Sequence, residues 1–455
     1  PAAWWGLRGG SADWGDSTVE QAVSGTRVPW PRGRGLGGTS VINGMIFIRG
    51  HRSGYRAWEA AGAKGWGFED LLPWFRRTEH AEGRDPAVRG LGGPMIVAPA
   101  VERHPATVAF VEAALEAGHG AATDISGGLE EGFGWVDLNI VRGARLSAAD
   151  AYLRPALDRP NLDVVTGALV HRVRIDGDRC TGVDYTAGGT FARVGCEQEV
   201  VLCAGAIGSA QLLLLSGVGP AEHLRQVGIE VVADLPGVGE NLHDHLYAPV
   251  VYGTPAPVPP GRNNNIEAMG LVRSDPSVDV PDLQIFMYAP APGDADGYVI
   301  SAGLVTPHSR GRLRLAGADP GVRPLMDPDY LSDGRDVEAL LAGLAMVRRI
   351  ARSTALGPWR GQEVFPGSGV AGQAARDHLR AQPNSYYHYA GTCRIGTDAM
   401  AVVDTELRVR GVRGLSVADA SVMPSVPSAN TQATVMAIAE RAASLIGGRP
   451  PEMAG

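Results

Sequence analysis

Lysine is almost missing from this chain: Lys64 is its one lysine, and every other basic residue is arginine. That excludes a G-K-[ST] phosphate loop, and a Schiff-base lysine would have to be Lys64 itself, in a polar, glycine-flanked turn. Cysteine is scarce as well. Cys180, Cys196, Cys203 and Cys393 lack C-x-x-C spacing and are too few to staple 455 residues, so reduced thiols are expected. No apolar run approaches the roughly 18–20 residues of a membrane span, the short leucine stretch 212–215 included. No serine carries glycines in the G-x-S-x-G pattern, which demotes serine-hydrolase chemistry. The chain starts at Pro1 with neither an initiator Met nor a charged, hydrophobic leader, and a cytoplasmic location is the default expectation.

What is present describes a globular protein. Hydrophobic residues make up 44% and charged residues 20%, enough apolar material for a large core. Forty-one basic against forty-nine acidic side chains leave a net charge of −8, which argues against a nucleic-acid or anionic-membrane partner. Glycine numbers 62 without any G-X-Y period, so tight turns and close backbone approaches are expected. Neither repeats nor a long linker divide the chain, and its domains are expected to interleave.

Segments 161–165, 169–175, 182–185 and 199–203 read as short strands of a small sheet. After the last of them, Ala204-Gly205-Ala206-Ile207-Gly208 reads as a turn and 209–215 as a helix. A second strand-turn-helix unit closes the chain, with a strand over 414–419 and a helix over 431–446, capped by Ser428 or Asn430. Between them, the runs 283–288, 298–305 and 312–315 alternate with proline-rich connections and predict a mixed or antiparallel sheet facing the substrate.

Three motifs invite chemistry. Residues 33–38 spell G-x-G-x-x-G, but Pro29 and Pro31 interrupt the buried strand that a dinucleotide fingerprint needs, so the standard fingerprint is rejected there. A loop that brings backbone amides against a phosphate or a flavin edge remains. His243-Asp244-His245 has the spacing of two metal ligands, yet no third ligand is apparent and a polar loop is the simpler account; no metal is expected. His388 lies in an aromatic setting, Tyr386-Tyr387-His388-Tyr389, before a glycine turn.

Four separated segments together resemble the glucose-methanol-choline family of flavin-dependent alcohol oxidoreductases: GRGLGGTSVINGMIFIRG at 33–50, GAIGSAQLLLLSGVG at 205–219 with LPGVGENLHDHL at 235–246, YYHYAGTCRIG at 386–396, and VADASVMPSVPSANTQATVMAIAERAA at 417–443. Arg56 and Ala210 depart from the usual signatures without touching the chemistry. The resemblance implies an α/β fold in which a Rossmann-like FAD-binding domain (1–50, 145–245 and 390–455) interleaves with a substrate-binding domain (51–144 and 246–389). It also implies that the family's opening βαβ unit lies before Pro1, so the chain reads as N-terminally incomplete and is expected to hold FAD poorly or not at all.

By the same resemblance, Arg32, Gly37, Gly38, Thr39, Asn43, Gly44 and Met45 would run along the flavin, Val170, Ala204 and Gly205 would meet its adenine side, and Asp419, Ala420 and Gln432 would complete the contacts. Ile42 stands where some relatives attach FAD covalently through a histidine, which implies noncovalent FAD here. His388 aligns with the family's catalytic base and Asn430 with its partner. An imidazole near its ordinary pKa of about 6.5 would take the hydroxyl proton while Asn430 donates to the developing alkoxide. The helix starting near residue 431 would favour anionic reduced flavin. The implied partners are a small-molecule alcohol and dioxygen or another electron acceptor. The oligomeric state, the identity of the alcohol and the choice between oxidase and dehydrogenase stay open. A hydroxynitrile lyase-like enzyme, an inactive truncated remnant and a photochemical decarboxylase are the competing readings.

Overall fold

The computed structural model describes residues 1–292 and 297–448. Its largest sheet has seven strands. Along it run Glu363–Phe365, Leu246–Tyr252, Tyr298–Leu304, Leu283–Tyr288, Ala268–Val272 and Gly132–Trp135, all antiparallel, with Asn384–Ser385 pairing additionally on Leu246–Tyr252. The run LQIFMY of Leu283–Tyr288 is buried at every position, as a strand covered on both faces must be. Alternate side chains serve different cores. Ile285, Met287, Ile300 and Ala302 pack under the helices Pro105–Glu116 and Gly334–Ala351. Phe286, Tyr288 and Val299 face the other way, onto Met45, Ile46 and Trp4. Gly303 permits a close approach on that second face, since a Cβ there would sit 3.0 Å from the Tyr386 ring.

The second layer is α/β. Val200–Leu202 and Leu415–Val417 form a parallel pair, each strand leading toward a helix: Gly205–Leu215 after the first and Gln432–Gly447 after the second. A three-stranded antiparallel sheet, Ala168–Asp176, Arg179–Ala187 and Thr190–Gly195, packs against Gly205–Leu215. Asp419 ties the ends of the parallel pair together. Its carboxylate accepts from the Gly205 amide at 2.9 Å, the Ser209 hydroxyl at 2.5 Å and the Ser421 amide at 2.8 Å. Burial raises its pKa, and these donors oppose the rise.

Several boundaries differ from those read in the sequence. Segment 161–165 is irregular, and the third strand of the small sheet is Thr190–Gly195, where polar and glycine neighbours mask the alternation. The helix begins at Gly205 instead of Ser209, because Gly205, at φ +76°, turns directly from the strand. The closing helix is capped by Thr431 without a side-chain bond, not by Ser428 or Asn430. Ser428 instead accepts from the His51 amide, and Asn430 reaches toward His388. Arg312–Arg314 pairs with Leu325–Asp327 in a ladder of its own, outside the seven-stranded sheet. All four cysteines are free thiols. Among the described residues, no helix is long and apolar enough to cross a membrane.

Candidate active site

The chain at Tyr387 adopts a left-handed turn, φ +66°, held by the Tyr387 amide donating to the Ser385 hydroxyl at 3.0 Å. This turn brings the rings of Tyr386 and His388 to 4.6 Å. The His388 amide donates to Asp244 Oδ1 at 2.6 Å, and Asp244 Oδ2 accepts from Tyr330 at 2.6 Å and Ser385 at 2.5 Å. Trp30 Nε1 in turn donates to the Tyr330 hydroxyl at 2.8 Å. Burial pushes the Asp244 carboxyl up to about 6, and its donors hold it from rising further. Asp244 thus grips the backbone of His388 and leaves the ring free.

The His388 ring lies between two partners. Its Nδ1 is 2.9 Å from His245 Nδ1, and its Nε2 is 3.2 Å from Asn430 Nδ2. With the Asn430 amide donating, His388 Nε2 is the acceptor and its proton sits on Nδ1, donated to His245. His245 then carries its own proton on Nε2, which has no partner among the described residues. The third histidine of this cluster, His243, bonds the Asn241 carbonyl through Nδ1 at 2.5 Å and accepts the Val426 amide at Nε2, 2.7 Å away. Burial lowers all three imidazoles, His388 from 6.5 to about 3 and the other two well below their ordinary value. The expectation of an imidazole near 6.5 is therefore corrected: no carboxylate touches the ring to offset its burial.

Around this pair, the structure joins several of the sequence-predicted residues. Asn43 Nδ2 donates to Gln432 Oε1 at 2.6 Å, while Asn43 Oδ1 accepts from Arg145 at 2.7 Å and the Met45 amide at 3.1 Å. Met45 is in the left-handed region at φ +59°, and the Gly44 carbonyl accepts from Asn264 at 2.5 Å. Gly37 and Gly38 have φ of +99° and +56°, and the Thr39 hydroxyl closes the loop onto the Gly33 amide at 3.2 Å. Two side-chain atoms in the site, Asn430 Oδ1 and Gln432 Nε2, are buried without a partner. Ala204, Gly205, Asp419 and Ala420 gather at the carboxyl ends of the parallel strands, where open α/β sheets bind ligands. The Arg32 guanidinium is turned away into an ion pair with Asp16, and Val170 lies on Ala168–Asp176 beside the bulge that separates it from Arg172.

Sequence reading passed over Tyr330 and Arg145 and gave His245 and Asp244 no part in the site. The polar-loop account of His243-Asp244-His245 is also corrected, because all three side chains are buried and two of them hold His388. Their flanks carried the signal: Leu242 and Leu246 are both core residues, and a polar triplet between two of them must face inward and be paired. Among the described residues, no group of three or more ligating side chains is arranged to hold a metal ion.

One prediction follows from the imidazole pair. In His245→Phe, the Nδ1–H of His388 loses its acceptor, which costs roughly 1–3 kcal/mol for a buried donor, about 10–100-fold in any rate that needs this tautomer. Rapid-mixing measurement of substrate oxidation in the loaded protein checks it, and an unchanged rate would show that the tautomer is set elsewhere.

The sequence model of the GMC oxidoreductases matches the chain in two parts, the N-terminal over residues 15–247 and the C-terminal over 307–439. Mitochondrial choline dehydrogenase of Homo sapiens is 39% identical, over 95% of this chain and 78% of that protein. The oxygen-dependent choline dehydrogenase of Brucella canis is 37% identical, over 96% and 86%. Among solved structures, pyridoxine 4-oxidase from Mesorbium loti superimposes with a TM-score of 0.94 at 35% identity, over 99% of this chain and 91% of that one. A formate oxidase at 24% identity shares the fold, with a TM-score of 0.90.

Proposed function

The chain belongs to the GMC oxidoreductase family, an FAD-dependent enzyme class, and on that premise we propose that it oxidises the CH–OH group of a small-molecule alcohol to a carbonyl. The observation that supports this most is that Asn430 and Gln432, two residues apart at the start of the closing helix, reach two of the other family-motif residues, His388 and Asn43 respectively. The residues present fit a flavin. Gln432 Nε2 and Asn430 Oδ1 are buried polar atoms in want of a partner, and a Cβ at Gly205 would meet nothing within 4 Å, which leaves room at the helix start for a cofactor to approach. That helix has no side-chain bond from its N-cap residue, Ala204, and its first amide, that of Gly205, is already held by Asp419.

FAD would supply the hydride acceptor. The rest is the work of the chain. His388 Nε2 takes the hydroxyl proton, and His245 fixes the tautomer that exposes that lone pair. Asn430, whose Nδ2 rests 3.2 Å from His388 Nε2, would turn an amide N–H to the developing alkoxide, stabilising charge without competing for the proton. Asp244 keeps the His388 backbone in register. Residues 1–50, 145–245 and 390–455 form the flavin-holding part in this reading, and 51–144 and 246–389 the substrate part. Electrons leave to dioxygen or another acceptor. The names of two relatives, choline dehydrogenase and pyridoxine 4-oxidase, accord with an alcohol substrate.

The test is the visible spectrum of the purified chain with added FAD, before and after anaerobic addition of a panel of alcohols. Bleaching of the bound flavin by an alcohol supports the reading; bound flavin that no alcohol bleaches overturns it. The same sample reports the mode of attachment. With Ile42 where a tethering histidine would stand, acid precipitation is expected to leave the yellow chromophore in the supernatant.

A further inference from the structure

From His388 toward the solvent runs an unbroken series of rings. Tyr386 lies 4.6 Å from His388 and stacks on Phe286 at 5.0 Å; Tyr247 stands 5.7 Å from Tyr386; Phe286 meets Tyr288 at 5.5 Å, and Tyr288 meets Trp5 at 5.6 Å. The inner rings are buried, whereas Trp5, Tyr247 and Tyr387 are half-buried and mark the outer end. There the Arg8 guanidinium lies flat on Trp5, 3.2 Å from the ring centre, and donates to the Tyr387 hydroxyl at 2.7 Å. Its Nε donates to the Trp5 carbonyl at 3.2 Å.

Among the described residues, Arg8 has no carboxylate partner. The two carboxylates that act on Tyr387 are already engaged: Asp13 accepts from the amides of Gly9, Gly15 and Arg32, and Asp244 from Tyr330, Ser385 and the His388 amide. Arg8 also bears on Tyr247 and Tyr288, whose hydroxyls burial raises and its charge opposes. An aromatic track alone would suit a quaternary ammonium through its ring faces. Here a guanidinium already covers the Trp5 face and places like charge at the outer end. A guanidinium with N–H groups to spare is instead a receiver for an anionic oxygen.

Building on the alcohol-oxidation reading, we propose that the substrate is an alcohol on a flat aromatic ring bearing an anionic oxygen substituent, and that Arg8 binds this substituent. The ring lies against the half-buried Tyr247 and Tyr387, with its carbinol at His388. Arg8 is a specificity residue and takes no part in the proton transfer. Choline-like cations are disfavoured at this site.

The experiment compares 4-(hydroxymethyl)benzoate, benzyl alcohol and choline as reductants of the FAD-loaded protein and of its Arg8→Met variant. A charge-assisted bond predicts a preference of about 10–100-fold in kcat/KM for the carboxylate over benzyl alcohol. Choline should be the poorest of the three. In Arg8→Met the ratio of kcat/KM for the carboxylate to that for benzyl alcohol should fall to within a few-fold of one. Choline equal to or better than the aryl alcohols, or a preference that survives in Arg8→Met, overturns the proposal. Titration calorimetry with 4-hydroxybenzoate and with benzyltrimethylammonium reads the same site without turnover. Benzoate binding that Arg8→Met abolishes, in a protein no alcohol reduces, would sink the oxidation reading yet keep the anion subsite; stronger binding of the ammonium would sink the subsite itself.

Discussion

Replacing His388 with Ala or Gln is expected to lower alcohol turnover by about 10²–10⁴-fold, the usual contribution of a positioned general base, while bound flavin keeps its spectrum. The reason lies in the geometry: Nε2 is the one lone pair of the imidazole pair aimed at Asn430, and no carboxylate stands beside the ring to replace it. Turnover in His388→Ala within a few-fold of the parent would remove the assigned role. Asn430→Ala should slow the reaction less, because it removes a donor and leaves the base in place. The pH profile follows from the same burial. With His388 lowered to about 3, it stays unprotonated through the neutral range, and the acid limb of kcat/KM lies well below 6.5. Stability changes in the same direction. The unfolded chain takes up protons on its histidines below about 6.5 while the folded protein resists. The stability contributed by neutral His388 is thus complete above 6.5 and is lost as pH falls toward about 3.

The second large effect is on folding. Glu79→Gln should destabilise the protein by about 3–5 kcal/mol, read as a lower midpoint in urea. Glu79 is fully buried and accepts from Arg49 at 2.5 Å, from Arg89 at 2.8 and 3.1 Å, and from the Gly90 amide at 3.0 Å. Burial by itself would raise its pKa, but Arg49 and Arg89 outweigh that and hold it below the usual range. Arg89 also holds Asp124 at 2.8 Å and Asp137 at 2.6 Å, so removing one carboxylate charge leaves Arg49 without a charged partner. Arg49 ends the loop that carries Asn43 and Met45, and its amide is pinned to the Ser126 carbonyl at 3.1 Å. Loss of Glu79 therefore loosens the loop that carries Asn43 and Met45. The exposed Glu82→Gln is the control: equal midpoints for the two variants would show that the buried cluster contributes nothing.

Much of the architecture could be read from the chain because it rests on local rules. The runs at 283–288 and 298–305 are apolar but for Gln284 and Ser301, and both are strands covered on two faces. The parallel pair and its two helices follow from apolar strands, small-residue turns and helical periodicity within about 15 residues each. Segment 161–165 misled because Val164 and Val165 suit a strand, yet both are exposed and have no neighbouring strand to pair with. Likewise, Asn430 reads as a helix cap because its side chain suits that position, although tertiary contact gives it a different partner.

The sequence by itself determined the family, through four motif segments in a fixed order, together with the α/β class and the identity of His388 and Asn430 as candidates. Tertiary structure alone decided what those candidates can do. His388 and His245 are 143 positions apart and His388 and Asn430 are 42 apart, and no local pattern encodes a contact over such distances. The same holds for Arg8, which folding sets 2.7 Å from a tyrosine 379 positions away. Proton position, pKa and substrate charge all depend on which groups a buried side chain meets when water is gone, and that is settled only when distant segments pack together.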